Sequence, residues 1–198
     1  MRTIVRKGIY ETNSSSVHSI SLSSEVTHFY DKNFKGEESS LEYDHNLDFF
    51  FGLHDKKLEP SKLAVSPTGI IWATPGSYGA NYEVFYSQQE KLDYLVTYVL
   101  AASDYNLDVM YDSKQFSMLQ KAVCDYTGAK KIKIPAKVAN KIEKILDEDG
   151  WLSEDEPGYI AHQSQPDSDT VFETVLKNND LILKFVFGED VCLVTDRD

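Results

Sequence analysis

The run Glu11-Thr12-Asn13-Ser14-Ser15-Ser16-Val17-His18 places five hydroxyl or amide side chains and an imidazole within seven residues. Groups this polar cannot all be buried without partners, so the run is either a solvated turn or part of a site whose ligand satisfies them. Two other segments share the character: Ser77-Tyr78-Gly79-Ala80-Asn81 and His162-Gln163-Ser164. Brought together, the three would set two imidazoles among several hydroxyls and amides. A neutral imidazole accepts a proton near pH 7, while serine hydroxyls and loop amides hold anionic oxygens. The expected chemistry is therefore acid–base work or capture of a phosphate. On that reading His18 and His162 are candidate catalytic residues, and Asn13, Ser14, Ser15, Ser16, Tyr78, Gln163 and Ser164 are candidate ligand contacts. The plainer reading of the first run is an Asx or Ser/Thr turn between strands. Tyr78, in a Pro- and Gly-rich loop, suits a packing lid better than a catalyst.

Several named chemistries are set aside by spacing. A two-histidine phosphoesterase needs a hydroxyl two residues after each histidine. His162-Gln163-Ser164 fits one half, but His18-Ser19-Ile20 breaks the other. A glycine-rich phosphate loop, a dinucleotide fingerprint and a Gly-x-Ser-x-Gly elbow are all absent, so no cofactor is expected. The cysteines lack paired spacing for zinc, and no histidine pair stands at i, i+4 on a helical pattern, so no metal is expected either. His28, His45 and His54 read as ordinary surface or hydrogen-bonded histidines.

The elements that must position these groups can be read from periodicity. Residues 3–10 and 17–22 hold β-branched residues in partial alternation and predict a hairpin-like strand pair around the polar run. Residues 62–65 and 69–73 flank Pro67 and predict another. Ser87-Gln88-Gln89-Glu90 is a capping box, followed at helical spacing by Leu92, Leu95, Val96, Val99 and Leu100. A second helix starts near Ser113, carries Phe116, Leu119, Ala122 and Val123 inward, and stops at Gly128. Residues 130–134 form a short strand, and Pro135 opens a third helix with Val138, Ile142, Ile145 and Leu146 on one face, ended by Gly150. Val171, Phe172, Val175 and Leu176 suggest a further helix. Residues 181–187 are an apolar element, and 191–195 a final strand. Helices and strands are segregated, and no linker or repeat divides the chain. The expectation is a single α+β domain over residues 1–198, with a small, mainly antiparallel sheet and three to five packed helices.

Charge bounds the partners. With 32 acidic against 20 basic residues the formal net charge is −12, which argues against general binding to a phosphate backbone. The same sign permits carboxylates to occupy a basic groove on a partner protein. The densest candidate surface lies between Asp147 and Glu156, where six of ten residues are carboxylates: Asp147, Glu148, Asp149, Glu154, Asp155 and Glu156. Their spacing lacks the strict alternation of a calcium loop, and their place at a helix C-terminus opposes the macrodipole, so a solvated loop is the plain alternative. Cys124 and Cys192, far apart in apolar surroundings, read as reduced core thiols of a cytoplasmic protein. No apolar stretch approaches the roughly 18 residues of a membrane span, so no membrane association is expected.

Four sets of residues carry a resemblance. They are Arg6-Lys7-Gly8-Ile9-Tyr10-Glu11-Thr12-Asn13-Ser14-Ser15-Ser16 with His18, Tyr78-Gly79 ahead of Glu90-Lys91-Leu92-Asp93-Tyr94-Leu95, Gly158-Tyr159-Ile160-Ala161-His162-Gln163-Ser164, and terminal Thr195-Asp196. Spanning most of the chain, they resemble a group of small proteins encoded mostly by bacteriophages and prophages. Ala80 stands where such proteins often carry Trp, and Ala161 where they often carry Asp. If that Asp orients the imidazole, Ala161 cannot, which weighs against catalysis by His162.

Three functions compete. The first, implied by the resemblance and the anionic surface, is a protein that binds and inhibits a host defence or nucleic-acid-processing complex, anti-CRISPR activity being one version. Its partner is a host protein complex with a basic surface, met in the bacterial cytoplasm. The second is a small enzyme acting on a phosphate-bearing substrate through the Asn/Ser/His cluster. The third is an interaction module in which the cluster only fixes a turn.

Overall fold

The computed structural model describes residues 16–22, 62–78, 83–85, 87–153, 155–160, 175–188 and 191–197; for 16–22, 83–84, 192 and 194–197 the backbone alone is described. The expected strand at 3–10, the histidines His28, His45 and His54, and the helix start at Val171 and Phe172 lie outside these residues.

Helix α1 (Gln88–Ala101) begins where the capping box predicts. The Ser87 hydroxyl accepts from the Glu90 amide at 3.1 Å, and the Glu90 carboxylate accepts from the Ser87 amide at 3.1 Å, so two orphan donors of the first turn are satisfied reciprocally. Its expected apolar face is buried, but so are Lys91, Tyr94, Thr97 and Tyr98. A helix covered on nearly every side is the centre of a core rather than its lid. The further helices are α2 (Leu107–Asp112), α3 (Lys114–Thr127), α4 (Ala136–Asp149) and α5 (Asn179–Phe187), of which α2, α3 and α5 pack against α1. The short α2 has no periodic signal long enough to read and depends on the Asn106 side chain, which accepts from the Val109 amide at 3.1 Å. Ser113 caps α3 and Gly128 ends it at φ 75°; Gly150 ends α4 at φ 76°. These are left-handed positions that a glycine fills without a Cβ penalty. Five helices among the described residues fall within the expected number, and the chain is mixed helix and strand.

Two sheets occur. Strands β1 (Ser16–Leu22), β3 (Glu83–Phe85) and β5 (Val191–Arg197) form an antiparallel sheet in the order β1-β5-β3. β1 pairs along its whole length with β5, from Ser16 opposite Arg197 to Leu22 opposite Val191; its expected hairpin partner, residues 3–10, lies outside the described residues. The hairpin expected around Pro67 is corrected by the structure. Residues 62–66 form no strand; the Ser66 hydroxyl and carbonyl instead accept from Ile70 and Gly69 at 2.9 and 2.8 Å and tighten the turn. Strand β2 (Ile70–Trp72) then pairs in parallel with β4 (Lys131–Lys133), a distant segment reached through the intervening helices. A two-stranded parallel sheet leaves both outer edges open, and here side chains close them. On β4 the Ile132 amide donates to Gln120 Oε1 at 3.1 Å and the Ile134 amide to the Tyr111 hydroxyl at 3.2 Å. Beyond β2 the edge is held by α1.

Candidate functional site

β1 and β3 both run antiparallel to β5, so both enter the sheet at the end where β5 leaves it. Ser16 and His18, the described part of the first polar run, therefore occupy the same sheet end as Glu83, the strand residue that follows the second polar segment. Thr195 lies between them in register, opposite His18 on one side and Glu83 on the other. At strand spacing this places the His18 and Glu83 backbones about 10 Å apart. Asn13, Ser14, Ser15 and Asn81 lie outside the described residues.

The second and third polar segments approach each other along the backbone. Tyr78 forms an isolated parallel bridge with Ile160; its amide donates to the Tyr159 carbonyl at 3.0 Å, and the Gly158 amide donates to the Gly76 carbonyl at 2.7 Å. The bridge is tight: a Cβ on Gly76 would meet the Tyr78 ring and hydroxyl at 2.8 Å. The Tyr78 ring is buried edge-on against Phe85 (5.5 Å, 85°) and Tyr94 (4.9 Å, 72°), so it packs between β3 and α1. The ring is thus a packing residue of the core. His162, Gln163 and Ser164, which follow Ile160 by two to four residues, are outside the described residues.

What holds this loop is a feature the sequence reading missed. Three polar residues spaced four apart on α1 grip every second residue of the extended chain beside it. Gln89 Nε2 donates to the Trp72 carbonyl at 2.8 Å, Asp93 Oδ1 accepts from the Thr74 amide at 2.8 Å, and Thr97 Oγ1 accepts from the Gly76 amide at 3.2 Å. The match is metric: four helical residues rise about 6.0 Å and two extended residues about 6.6 Å. Gln89 also donates to Asp93 at 2.8 Å, and the Thr97 hydroxyl donates to the Asp93 carbonyl at 2.8 Å. Burial pushes the Asp93 carboxyl up to about 6 from its ordinary 3.8, against the lowering effect of the Thr74 and Gln89 hydrogen bonds; Glu90 adds a smaller upward push. The signal was present as polar residues at i, i+4 and i+8 in an apolar helix. On the far side Lys91 is wholly buried, its ammonium donating to the Gly188 and Val191 carbonyls at 2.9 Å each, so it ties α1 to the end of α5 and the start of β5.

The acidic surface is a separate region. Asp147, Glu148, Asp149 and Asp155 are exposed and Glu156 half-buried, while Glu154 lies outside the described residues. Glu148 faces Lys144 at 3.7 Å, an exposed pair of little energetic weight. Glu156 accepts from the Ser153 amide at 2.6 Å and so has a local turn to hold. Asp147 joins Asp104, Asp108 and Glu143 around a cavity of about 380 Å³ that also touches Tyr105 and Leu146. Burial raises the Tyr105 hydroxyl above its ordinary value, with Tyr159 and Asp104 adding to the effect. Trp151, just past α4, is 65% exposed. Four carboxylates from two stretches of chain thus share one concavity, although no group of three or more His, Cys, Asp or Glu among the described residues is placed to hold a metal ion. The described thiol, Cys124, is free and buried, and burial raises it. No described helix is long and apolar enough to cross a membrane. No protein-family model, curated protein or solved structure matches the chain.

Proposed function

We propose that this protein is a binding protein whose acidic concavity engages a basic surface on a partner protein. The observation that carries the reading is the convergence of Asp104, Asp108, Glu143 and Asp147 on one cavity; Trp151, two residues past the end of α4, is exposed. Carboxylates steer a cationic partner and fix its register, while an accessible indole supplies the apolar anchor typical of interface centres. In its specific form, suggested by the resemblance to phage-encoded proteins, the partner is a host defence or nucleic-acid-processing complex of the cytoplasm, and binding inhibits it. The scaffold is read as one α+β domain over residues 1–198. Calorimetric titration against candidate nucleases and a Lys/Arg-rich peptide, at low and physiological salt, tests the proposal. Binding that weakens with salt and disappears in Asp108→Lys/Glu143→Lys/Asp147→Lys supports it. Absence of binding at low salt, or binding indifferent to the triple reversal, removes it.

One observation favours a second reading, a small enzyme acting on a phosphate-bearing substrate. It is supported by the Tyr78–Ile160 bridge, which joins the backbone of the second polar segment to the residue two before His162, and by the common sheet end at which β1 and β3 begin. His162 is two residues past Ile160, at most about 7 Å along the chain. Loss of activity without loss of folding in His18→Ala and Ser15→Ala would select this reading.

A further inference from the structure

A second charged surface lies at the opposite end of α4 and has the opposite sign. Between residues 127 and 142 the chain carries five lysines, Lys130, Lys131, Lys133, Lys137 and Lys141, and no carboxylate, although the whole protein bears a net charge of −12. All five are exposed. Among the described residues none of them forms an ion pair. Register places Lys131 and Lys133. Ile71 and Ile132 are paired and buried on the inner face of the β2–β4 sheet, whereas Trp72 is paired with Lys133 and both are exposed on the outer face, with Lys131 one step along. Trp72 is 44% exposed. Lys137 and Lys141 follow one turn apart on α4, whose first turn has no acidic residue. The helix N-terminus is already the positive end of its dipole, so a lysine there adds repulsion that a bound anion would relieve.

We propose that the outer face of β2 and β4, continued by the first half of α4, binds single-stranded nucleic acid, with Trp72 stacking on a base and Lys131, Lys133, Lys137 and Lys141 facing phosphates. An aromatic ring beside a row of lysines is the combination by which unpaired strands are held, because every base offers a π face and every linkage a charge. A duplex hides its base faces, and an acidic peptide offers no regular partner for the indole. The net charge of the whole chain does not forbid this: fields are screened within about 8–10 Å at physiological salt, so a strand on this face meets the local lysines first. The proposal is independent of the acidic concavity, and reversing the carboxylates there leaves it standing.

The test is fluorescence anisotropy with labelled oligo(dT) and oligo(U) of about 12 nucleotides, on the full chain. A Trp151→Phe background makes Trp72 the remaining indole and reports stacking as quenching. With four phosphates neutralised, affinity falls about 50-fold between 50 and 200 mM salt. Trp72→Ala weakens binding by about 5- to 150-fold, and Lys131→Glu/Lys133→Glu by more, both with unchanged circular dichroism. Three results overturn the proposal. They are no binding at 50 mM salt, binding unaffected by these substitutions, and a polyglutamate peptide that competes equally while Trp72 stays unquenched, which assigns the face to an acidic protein instead.

Discussion

Replacing Asp93 by Asn removes one titration from the centre of the molecule while keeping the oxygen that accepts from Thr74 and Gln89. In the native protein this carboxyl is held up to about 6 by burial, against 3.8 in the unfolded chain. Between those values the folded state binds a proton that the unfolded state has released. The contribution of Asp93 to stability is therefore greatest at low pH, declines as pH rises from about 4 to about 6, and is flat above. The full shift corresponds to about 3 kcal/mol, and partial solvation of a half-buried carboxylate lowers this to on the order of 1–2 kcal/mol. Urea unfolding of the wild type and Asp93→Asn, followed by far-UV circular dichroism from pH 4 to 7.5, isolates the effect, because the other carboxylates cancel in the difference. Asn is expected to equal the wild type near pH 4 and to exceed it by that amount at pH 7.5, a gain of a few degrees in Tm for a chain of this size. A difference that is constant with pH, or one that favours the wild type as pH rises, would refute the reasoning.

Other substitutions test the remaining contacts. Lys91→Met removes the ammonium from the Gly188 and Val191 carbonyls and is expected to lower unfolding free energy by about 2–4 kcal/mol in urea. Thr97→Val deprives the Gly76 amide of its acceptor, at about 1–2 kcal/mol. Hydrogen exchange should accelerate at Gly76 and Tyr78 while Leu119 and Ile132 hold their rates. Ser87→Ala removes the hydroxyl that accepts from the Glu90 amide while leaving the backbone donor of residue 87 to the Glu90 carboxylate, and should cost about 1 kcal/mol by thermal unfolding.

Local chemistry was legible where one stretch of chain decides the outcome. The capping box at Ser87, the stops at Gly128 and Gly150, and the inward residues of α1, α3 and α4 follow from side chains within a few turns of one another. Pairing was not, because a strand chooses its partner by burial across the whole fold. The residues 17–22 predict a strand, yet nothing in them names β5 as a neighbour. Residues 69–73 read as half a hairpin because a proline turn precedes them, and the parallel partner lies some sixty residues away. The Gln89–Asp93–Thr97 stripe was missed because polar residues in an apolar helix look like its solvent face until an extended chain is found lying on it. Summing charge over the chain likewise concealed that α4 separates lysines at its start from carboxylates at its end.

The central claim is that the acidic concavity is a protein-binding surface. It is tested most directly by a heteronuclear NMR titration of the protein with a Lys/Arg-rich peptide. The account predicts saturable shifts at residues 104–108, 143–149 and the Trp151 indole, with Lys131 and Lys133 unmoved. Shifts spread evenly over all exposed carboxylates, or none at low salt, would contradict it.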